Sequence, residues 1–252
     1  MILHEQRDDV AILTLAHGKA NLLDVEFCRA VAAAFDECAV SSARAAVIIA
    51  GGTIFSAGVD LRRLVDGSQR YAEEFLPALG HAFDVAFAFP KPLVAAVNGH
   101  AIAGGCILAN AADRRLMARG TGRIGVPELL VGVPFPTVAL EIMRQHVPPP
   151  HLSALIFSGE TIVADRAVEL GVVDAAVEPD RLLDEAVGAA KAMAALPPAA
   201  FAITKKQLRA PALARIREGR ERFDAAIHEY WAAPGTLDTV RAYVQRTLMN
   251  RG

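Results

Sequence analysis

The stretch "KPLVAAVNGHAIAGGCILANAADRR", residues 91–115, decides how this chain is interpreted. Within it, residues 93–112 carry no formal charge when histidine is counted as neutral, and that length would just span a bilayer. Polar residues and a glycine pair interrupt the run: Asn98, His100, Asn110 and Gly104-Gly105. Because these features disfavour a continuous membrane helix, the pattern predicts a buried strand, a glycine turn and a buried helix from about Cys106 to Ala112.

The composition supports a soluble globular protein. The chain has 252 residues, of which 53% are hydrophobic and 21% charged, enough to bury the core of one large domain or of a body with a small appendage. A formal net charge of −2 offers no long-range attraction for nucleic acid or for anionic lipid. We therefore expect neither nucleic acid nor a membrane as a partner.

The cysteines and the N-terminus favour a cytoplasmic protein. Cys28, Cys38 and Cys106 are odd in number and form no CxxC pair, which is typical of reduced cysteines. The opening "MILHEQRDDVAILTL" places four charged residues before the first apolar run, unlike a signal peptide.

Strands followed by glycine-rich turns and helices recur along the chain, which predicts an α/β fold with strands covered on both faces. Asp24 and Asp165 resemble helix N-caps, and Gly171 the residue that ends a helix. The pattern predicts strands at 10–15, 46–50, 93–99 and 114–119, and a helix at 70–89. After Asp180 it is almost entirely helical, so we predict a core at 1–195 and a C-terminal helical region at 196–252.

The sequence does not support several common cofactor, metal and hydrolase motifs. "GTGRIG", residues 120–125, has dinucleotide-like glycine spacing, but "VPE" follows where a helix should open. No HExxH, no His/Cys cluster with zinc-ligand spacing and no G-x-S-x-G elbow occurs in the sequence. We therefore predict no metal site and no serine-hydrolase site.

Two glycine-rich turns form a more convincing pair. "FSAGVDL" (55–61) and "AIAGGCIL" (101–108) each place small residues where a strand meets a helix. A helix start has free N–H groups and a positive dipole end, and small residues let a ligand approach the backbone. Two such turns side by side would aim two N–H donors at one oxygen, which is an oxyanion hole.

Glu128 is the third candidate, the only acid in the otherwise apolar stretch 124–140. A carboxylate among apolar neighbours has a raised pKa and suits general acid–base catalysis. The alternative is an exposed turn residue after Pro127. Spacing alone favours neither interpretation.

Four segments together resemble the enoyl-CoA hydratase/isomerase (crotonase) superfamily. They are "FSAGVDL", "KPLVAAVNGHAIAGGCILANAADRR", "IGVPELLVGVPFP" and "SGETIVADRAVELGVVDAAV". The resemblance covers essentially the whole chain in the same order. It implies a spiral of repeated β-β-α units, a helical C-terminal region used in trimerisation, and an acyl-CoA thioester substrate. No cofactor is implied beyond the coenzyme A that the substrate carries, and the expected assembly is a homotrimer or a dimer of trimers.

The resemblance also assigns roles to individual residues. The oxyanion donors correspond to the backbone N–H groups of Val59 and Gly104, with Glu128 as the acid–base group. Lys19 and Arg62 match positions near the coenzyme A phosphates. Asp60, by its place in the turn, is more typical of a helix-start cap than of a catalyst. The full set matched to the substrate-binding site is Lys19, Ala20, Ala57, Gly58, Asp60, Leu61, Arg62, Gly105 and Ile107.

Ile107 is where this sequence departs from the family pattern. Hydratases of this superfamily carry a glutamate there, and with the second glutamate it activates the water that adds to the double bond. An apolar side chain cannot bind or deprotonate water, so the resemblance favours a single-base enoyl-CoA isomerase. Hydration, another reaction through a thioester enolate (decarboxylation or hydrolysis), and a non-catalytic acyl-CoA-binding protein stay open.

Overall fold

A computed structural model describes residues 1–249, which form ten strands and twelve α-helices. The strands are β1 Ile2–Arg7, β2 Val10–Leu15, β3 Ala45–Ala50, β4 Ile54–Ser56, β5 Leu93–Val97, β6 His100–Ile102, β7 Arg114–Ala118, β8 Ile124–Gly125, β9 Thr161–Ile162 and β10 Ala175–Val177. The helices are α1 Val25–Val40, α2 Leu61–Asp66, α3 Ser68–Ala88, α4 Gly104–Asn110, α5 Glu128–Val131, α6 Thr137–His146, α7 Pro149–Ser158, α8 Ala164–Glu169, α9 Leu182–Ala194, α10 Pro198–Gly219, α11 Ala225–Ala232 and α12 Pro234–Met249, with a π-helical turn Arg220–Asp224 after α10.

The strands form two sheets. The larger sheet has the order β1-β2-β3-β5-β7-β10, in which only the β1–β2 pair is antiparallel. The smaller sheet has the order β4-β6-β8-β9, and its first three strands run parallel. Every residue of β5 is buried, as expected of a central parallel strand covered on both faces.

The chain passes between the two sheets three times in the same way. β3, β5 and β7 lie in the larger sheet, and each is followed by a strand of the smaller sheet (β4, β6 and β8) and then by a helix (α2, α4 and α5). This is the predicted repeat of β-β-α units. Because β4, β6 and β8 pair in parallel, the turns that follow these strands meet at one edge of the smaller sheet.

The predicted elements agree with the structure in type, and two differ in detail. The run 93–112 contains an additional short strand, β6, and its helix begins at Gly104 instead of Cys106. The two glycines therefore form the first turn of α4. Asp165 is not an N-cap: α8 begins at Ala164 with Val163 in the cap position. Gly171 ends this helical segment at φ 76°, as predicted.

Helix α9 covers the outer face of the larger sheet, and buried polar contacts attach the next helix, α10, to the core. Lys205 and Arg209 of α10 are 6% and 5% exposed, and they donate to opposite oxygens of Asp113, each at 2.6 Å. Asp113 also accepts from the backbone N–H of Leu93 at 2.8 Å. The Asp113 side chain is 15% exposed. Removing either cation would leave this largely buried carboxylate short of a partner, so the cluster fixes α10 to the segment that follows α4.

The break between α9 and α10 falls at 195–197, where the sequence predicts the start of the C-terminal region. Its helices pack on the core: α10 on α6, α11 on α3, and α12 on α2. Residues 250–252 of this predicted region lie outside the described residues. Its proposed part in trimerisation stays a prediction.

None of the helices within residues 1–249 is by itself long and apolar enough to cross a membrane; α9 and the helical run 198–232 pass that test of length and composition only as a pair bent by 103°.

Candidate active site

The first glycine-rich turn joins β4 to α2 and holds the Val59 N–H in a defined direction. Gly58 has φ 85°, a conformation that residues with a side chain rarely adopt. Its carbonyl accepts from Leu23 N–H at 2.8 Å, while Asp60 N–H donates to the Leu23 carbonyl at 3.0 Å. Gly58 C=O and Val59 N–H belong to one planar trans peptide, in which the two groups point in opposite directions. Because the carbonyl is held on Leu23, the Val59 N–H points away from Leu23.

Asp60 ends this turn as a helix cap. It is the N-cap of α2, and its Oδ1 accepts from Arg63 N–H at 3.0 Å. The sequence predicts this capping role, and the contact confirms it.

The second turn joins β6 to α4 and aims the Gly104 N–H outward from the helix start. Ala103 has φ 51° and ψ −122°, a strained conformation for a residue with a side chain, costing of order 1–3 kcal/mol. Its N–H donates to the Gly125 carbonyl at 2.8 Å, and its carbonyl accepts from Ile107 N–H at 3.1 Å. Since the Ala103 carbonyl points into the helix, the Gly104 N–H of the same peptide points away from it.

The two turns lie in direct contact. A methyl group placed on the Cα of Gly58 would lie 2.9 Å from Ala103 Cβ and 3.5 Å from the Gly104 nitrogen. Gly105 packs equally tightly, since a methyl group there would lie 2.4 Å from the Ser56 carbonyl oxygen. Within residues 1–249 the N–H groups of Val59 and Gly104 donate to no acceptor. The turns thus bring together two free donors, as an oxyanion hole requires.

Glu128 is buried beside these turns. β8 pairs with β6 through Ile102 and Gly125, and the chain reaches Glu128 three residues later as the first residue of α5. Glu128 is only 8% exposed, and its Oε2 has no hydrogen-bond partner in the described part of the chain. The prediction of a buried carboxylate is therefore confirmed, and the alternative of an exposed turn residue is wrong.

Burial raises the pKa of Glu128 to about 8, against a smaller opposing effect from its own backbone N–H. The charged form has lost its hydration without gaining a cation, which is the physical cause of such a shift. A carboxyl group with a pKa near neutrality can both accept and return a proton.

Two neighbouring residues of α4, Cys106 and Ile107, are also buried. Ile107 on α4 is 1% exposed, so position 107, where the resemblance would place the second carboxylate of a hydratase, carries a buried alkyl group. Burial, and after it the charge of Glu128, raises the pKa of the Cys106 thiol. Cys106 therefore stays protonated and uncharged beside Glu128, and it is no nucleophile.

The loop 16–24 lies against the first turn and brings the remaining predicted residues to the site. Ala57 N–H donates to the Ala20 carbonyl at 2.9 Å, so Lys19 and Ala20 adjoin the segment that carries Val59. Lys19 and Arg62 are exposed, and neither forms an ion pair with another residue in the described range. Ala57 and Leu61 are half-buried, whereas Gly58 and Gly105 are buried.

Arg63, next to Arg62, forms ion pairs with other residues of the protein. Its guanidinium donates to both oxygens of Glu26, at 2.5 and 2.6 Å, and lies 3.1 Å from Asp24. The Arg63 guanidinium lowers the pKa of Glu26 to about 2. This pairing leaves Arg62 as the free cation on α2.

A cavity of about 840 Å³ adjoins α5 on its other side. Leu129, Gly132 and Val133 line it together with residues of α6, α10 and α11, but Glu128, Val59 and Gly104 do not. The candidate site is thus defined by its donors and its carboxylate, and not by this cavity.

Three residues contribute to this geometry although the sequence analysis does not assign them to the site. They are the strained Ala103, and Asn21 and Ser56 behind the first turn. For Ala103 the sequence contains no signal, because alanine is not expected at positive φ. Asn21 does carry one, since asparagine tolerates the left-handed region, and here it has φ 46°.

Residues 5–246 match the family described as "Enoyl-CoA hydratase/isomerase". A probable enoyl-CoA hydratase of Mycobacterium tuberculosis, EchA17, is 34% identical over 197 residues, covering 78% of this chain and 75% of its own. The solved structure of a probable enoyl-CoA hydratase from the same organism, EchA3, has a TM-score of 0.84 at 30% identity, covering 90% of this chain and 96% of its own. Another solved structure of the same Mycobacterium tuberculosis protein names it an enoyl-CoA isomerase.

The human mitochondrial Δ3-Δ2-enoyl-CoA isomerase superposes over all of this chain and 99% of its own, with a TM-score of 0.94. At 21% identity this likeness supports the fold, which is the crotonase fold predicted above. With its fold, its paired turns and the match over residues 5–246, this chain belongs to the enoyl-CoA hydratase/isomerase family and is an enzyme of that family.

Proposed function

We propose that this enzyme is an enoyl-CoA isomerase that moves a double bond from C3–C4 to C2–C3 of an acyl-CoA thioester, with Glu128 as its single base. The observation that carries the proposal is that Glu128 is a buried carboxylate with an unpartnered Oε2 in the described residues, while position 107 is a buried isoleucine. One carboxylate is enough to take a proton from one carbon and return it to another. Addition of water needs a group that holds the water as well.

In the first step ionised Glu128 removes a proton from C2 of the 3-enoyl thioester. The electron pair of that C–H bond moves into the C1–C2 bond, and the thioester oxygen takes up the negative charge. The N–H groups of Val59 and Gly104 donate to this oxygen, and each such donor contributes typically about 10²–10³ in rate. The charge is thus stabilised where it develops.

In the second step protonated Glu128 returns the proton to C4. The enolate oxygen gives its electron pair back, the double bond forms between C2 and C3, and the C3–C4 pair takes the proton. No atom is gained or lost overall. Glu128 ends ionised and ready for the next substrate, and no cofactor takes part beyond the coenzyme A that the substrate carries.

The exposed cations suit the other end of the substrate. We propose that Lys19 and Arg62 contact the phosphates of coenzyme A, because both are free of ion pairs in the described structure and flank the turn that carries Val59. Guanidinium and ammonium groups are the usual protein partners of phosphate.

Hydration of a 2-enoyl-CoA is the second candidate, and the names of relatives favour it: EchA17 is called a probable enoyl-CoA hydratase. That reaction would require water to be activated by Glu128 alone, since residue 107 is an isoleucine. The two functions therefore differ in a measurable product.

The test is a paired assay of the purified protein with a 3-enoyl-CoA and a 2-enoyl-CoA of medium chain length. We expect the 3-enoyl substrate to be converted to the 2-enoyl product, with negligible formation of the 3-hydroxy product from either. Efficient hydration of the 2-enoyl substrate would contradict the isomerase and establish the hydratase. Turnover of neither would rule out both for these substrates.

The pH dependence of the reaction is a further prediction. With a pKa of about 8, only about a tenth of Glu128 is ionised at pH 7, and the ionised form is the base. We expect kcat/KM for the 3-enoyl substrate to rise about tenfold per pH unit below pH 8 and to level off above it. Initial rates between pH 6 and 9.5 measure this. A profile that is flat from pH 6 to 8 would show that Glu128 is not the titrating base.

A further inference from the structure

Asn21 lies behind the first glycine-rich turn and is almost fully enclosed. It is 2% exposed and has φ 46°. Its side chain spans two segments: Nδ2 donates to the carbonyls of Ile54 at 3.0 Å and Phe55 at 3.1 Å, and Oδ1 accepts from His17 N–H at 2.8 Å. All hydrogen-bonding groups of the side chain are used, so Asn21 joins the loop 16–24 firmly to β4.

Ser56 continues this connection to the oxyanion turn. Its Oγ donates to the Asn21 carbonyl at 2.8 Å and accepts from Gly58 N–H at 3.2 Å. Ser56 is fully buried, so water does not compete for these bonds.

The two connections converge on one peptide. Gly58 N–H is held by Ser56 Oγ, and Gly58 C=O is held by Leu23 N–H at 2.8 Å, two residues after Asn21 in the same loop. Both hydrogen bonds of Gly58 therefore lead to the segment 21–23, which the Asn21 side chain attaches to β4. The Val59 N–H shares a rigid peptide with the Gly58 carbonyl, so its direction follows the position of that segment.

We propose that Asn21 and Ser56 are positioning residues that set the direction of the Val59 N–H, one of the two donors of the oxyanion hole. The proposal rests on the proposed function in one respect, the use of Val59 N–H on a thioester oxygen. Neither side chain touches the reacting atoms. Each acts through the backbone of Gly58, and donor direction is a property to which catalysis by an oxyanion hole is sensitive.

The test compares Asn21→Gly with a matched change at Asn98. Glycine keeps the positive φ of residue 21 and removes only the side chain. Asn98 is also an amide that joins two segments: it donates to the carbonyls of Ala50 at 2.9 Å and Gly52 at 2.7 Å and accepts from Ala50 N–H at 3.2 Å. Asn98→Gly thus removes a similar set of bonds without touching the oxyanion turn.

Two readouts are taken well below the unfolding temperature of each variant. The first is kcat and KM for the 3-enoyl-CoA. The second is the ratio of dissociation constants for a saturated acyl-CoA thioester and the corresponding alkyl-CoA thioether, which lacks the carbonyl oxygen. This ratio reports the contact between carbonyl and oxyanion hole, and it requires no turnover.

For Asn21→Gly we expect kcat to fall about 10- to 100-fold with little change in KM, since a misdirected donor costs rate more than ground-state binding. The preference for the thioester over the thioether, given by the ratio of their dissociation constants (the thioester preference), should decrease as well. Ser56→Ala, a smaller change, should do the same to a lesser degree. Asn98→Gly should lower thermal stability and leave both readouts at the wild-type value.

Wild-type kcat and thioester preference in both Asn21→Gly and Ser56→Ala would overturn the proposal, as would equal losses in Asn98→Gly. If the wild-type enzyme converts neither enoyl substrate but prefers the thioester, and Asn21→Gly abolishes that preference, the isomerase is wrong and the positioning role stands. A wild-type enzyme with no thioester preference would overturn the positioning role whatever reaction it catalyses.

Discussion

Replacing Glu128 by glutamine is expected to lower kcat for the 3-enoyl-CoA by about 10²–10⁴-fold, the usual contribution of a positioned general base. Glutamine has nearly the same shape and fits the same buried space, but it cannot take a proton from C2. Because the amide still fills the pocket, KM should change little. Initial-rate assays of the purified variant measure both constants.

Glu141→Gln is the matched control. Glu141 is a second buried glutamate, 4% exposed, but its carboxylate is paired with Arg144 and Arg215 on α6 and α10. Its replacement should lower stability, since two cations lose a buried partner, and leave kcat close to the wild-type value. Equal kcat in Glu128→Gln and the wild type would exclude Glu128 as the base.

The unfolding temperature distinguishes loss of chemistry from loss of fold in Glu128→Gln. The pKa of Glu128 is about 8 in the folded protein, against an ordinary value of 4.5, so between these pH values the folded state binds more protons than the unfolded state. The stability contributed by this group is therefore lost as the pH rises toward 8. Glutamine does not titrate, so the variant should unfold at a higher temperature than the wild type at pH 8–9. A lower unfolding temperature there would contradict the burial of an unpaired carboxylate.

What could be predicted from the sequence depended on the length of each signal. The five-residue apolar strand β5 and the 16-residue helix α1 are long enough to show a period or a cap, and both are where the sequence predicts them. β6, β8 and β9 have two or three residues each, too few for any period. The smaller sheet, which brings the two turns together, therefore follows from the family resemblance and not from a local pattern.

The residues of the site also differ in whether a local sequence pattern identifies them. Glu128 is recognisable because a single acid stands out in an apolar stretch, and Asp60 because a cap has a known position before its helix. The strain at Ala103 and the bonds of Asn21 depend on residues distant in the sequence. Asn21 meets Ile54 and Phe55 only after β4 has formed, and a local pattern contains no information about that contact.

Replacing Gly58 by alanine is expected to separate the two oxyanion turns. The new methyl group would lie 2.7 Å from the Ile102 carbonyl oxygen and 2.9 Å from Ala103 Cβ, closer than van der Waals contact allows. Neither neighbour is the end of a flexible side chain, so a turn must move. The φ of 85° adds strain of about 1–2 kcal/mol for a residue with a side chain, and overpacking costs about 1–3 kcal/mol more.

The catalytic consequence of Gly58→Ala should exceed the structural one. If the movement withdraws one donor from the thioester oxygen, kcat should fall by about 10²–10³-fold, measured at a temperature where the variant is folded. Gly80→Ala is the control, since a methyl group on this glycine of α3 meets nothing within 4 Å. There the same chemical change should raise stability by about 0.5–1 kcal/mol and leave kcat unaltered. A Gly58→Ala enzyme with wild-type kcat would show that the turns hold their donors without the close approach seen here, and the oxyanion hole would have to be sought elsewhere.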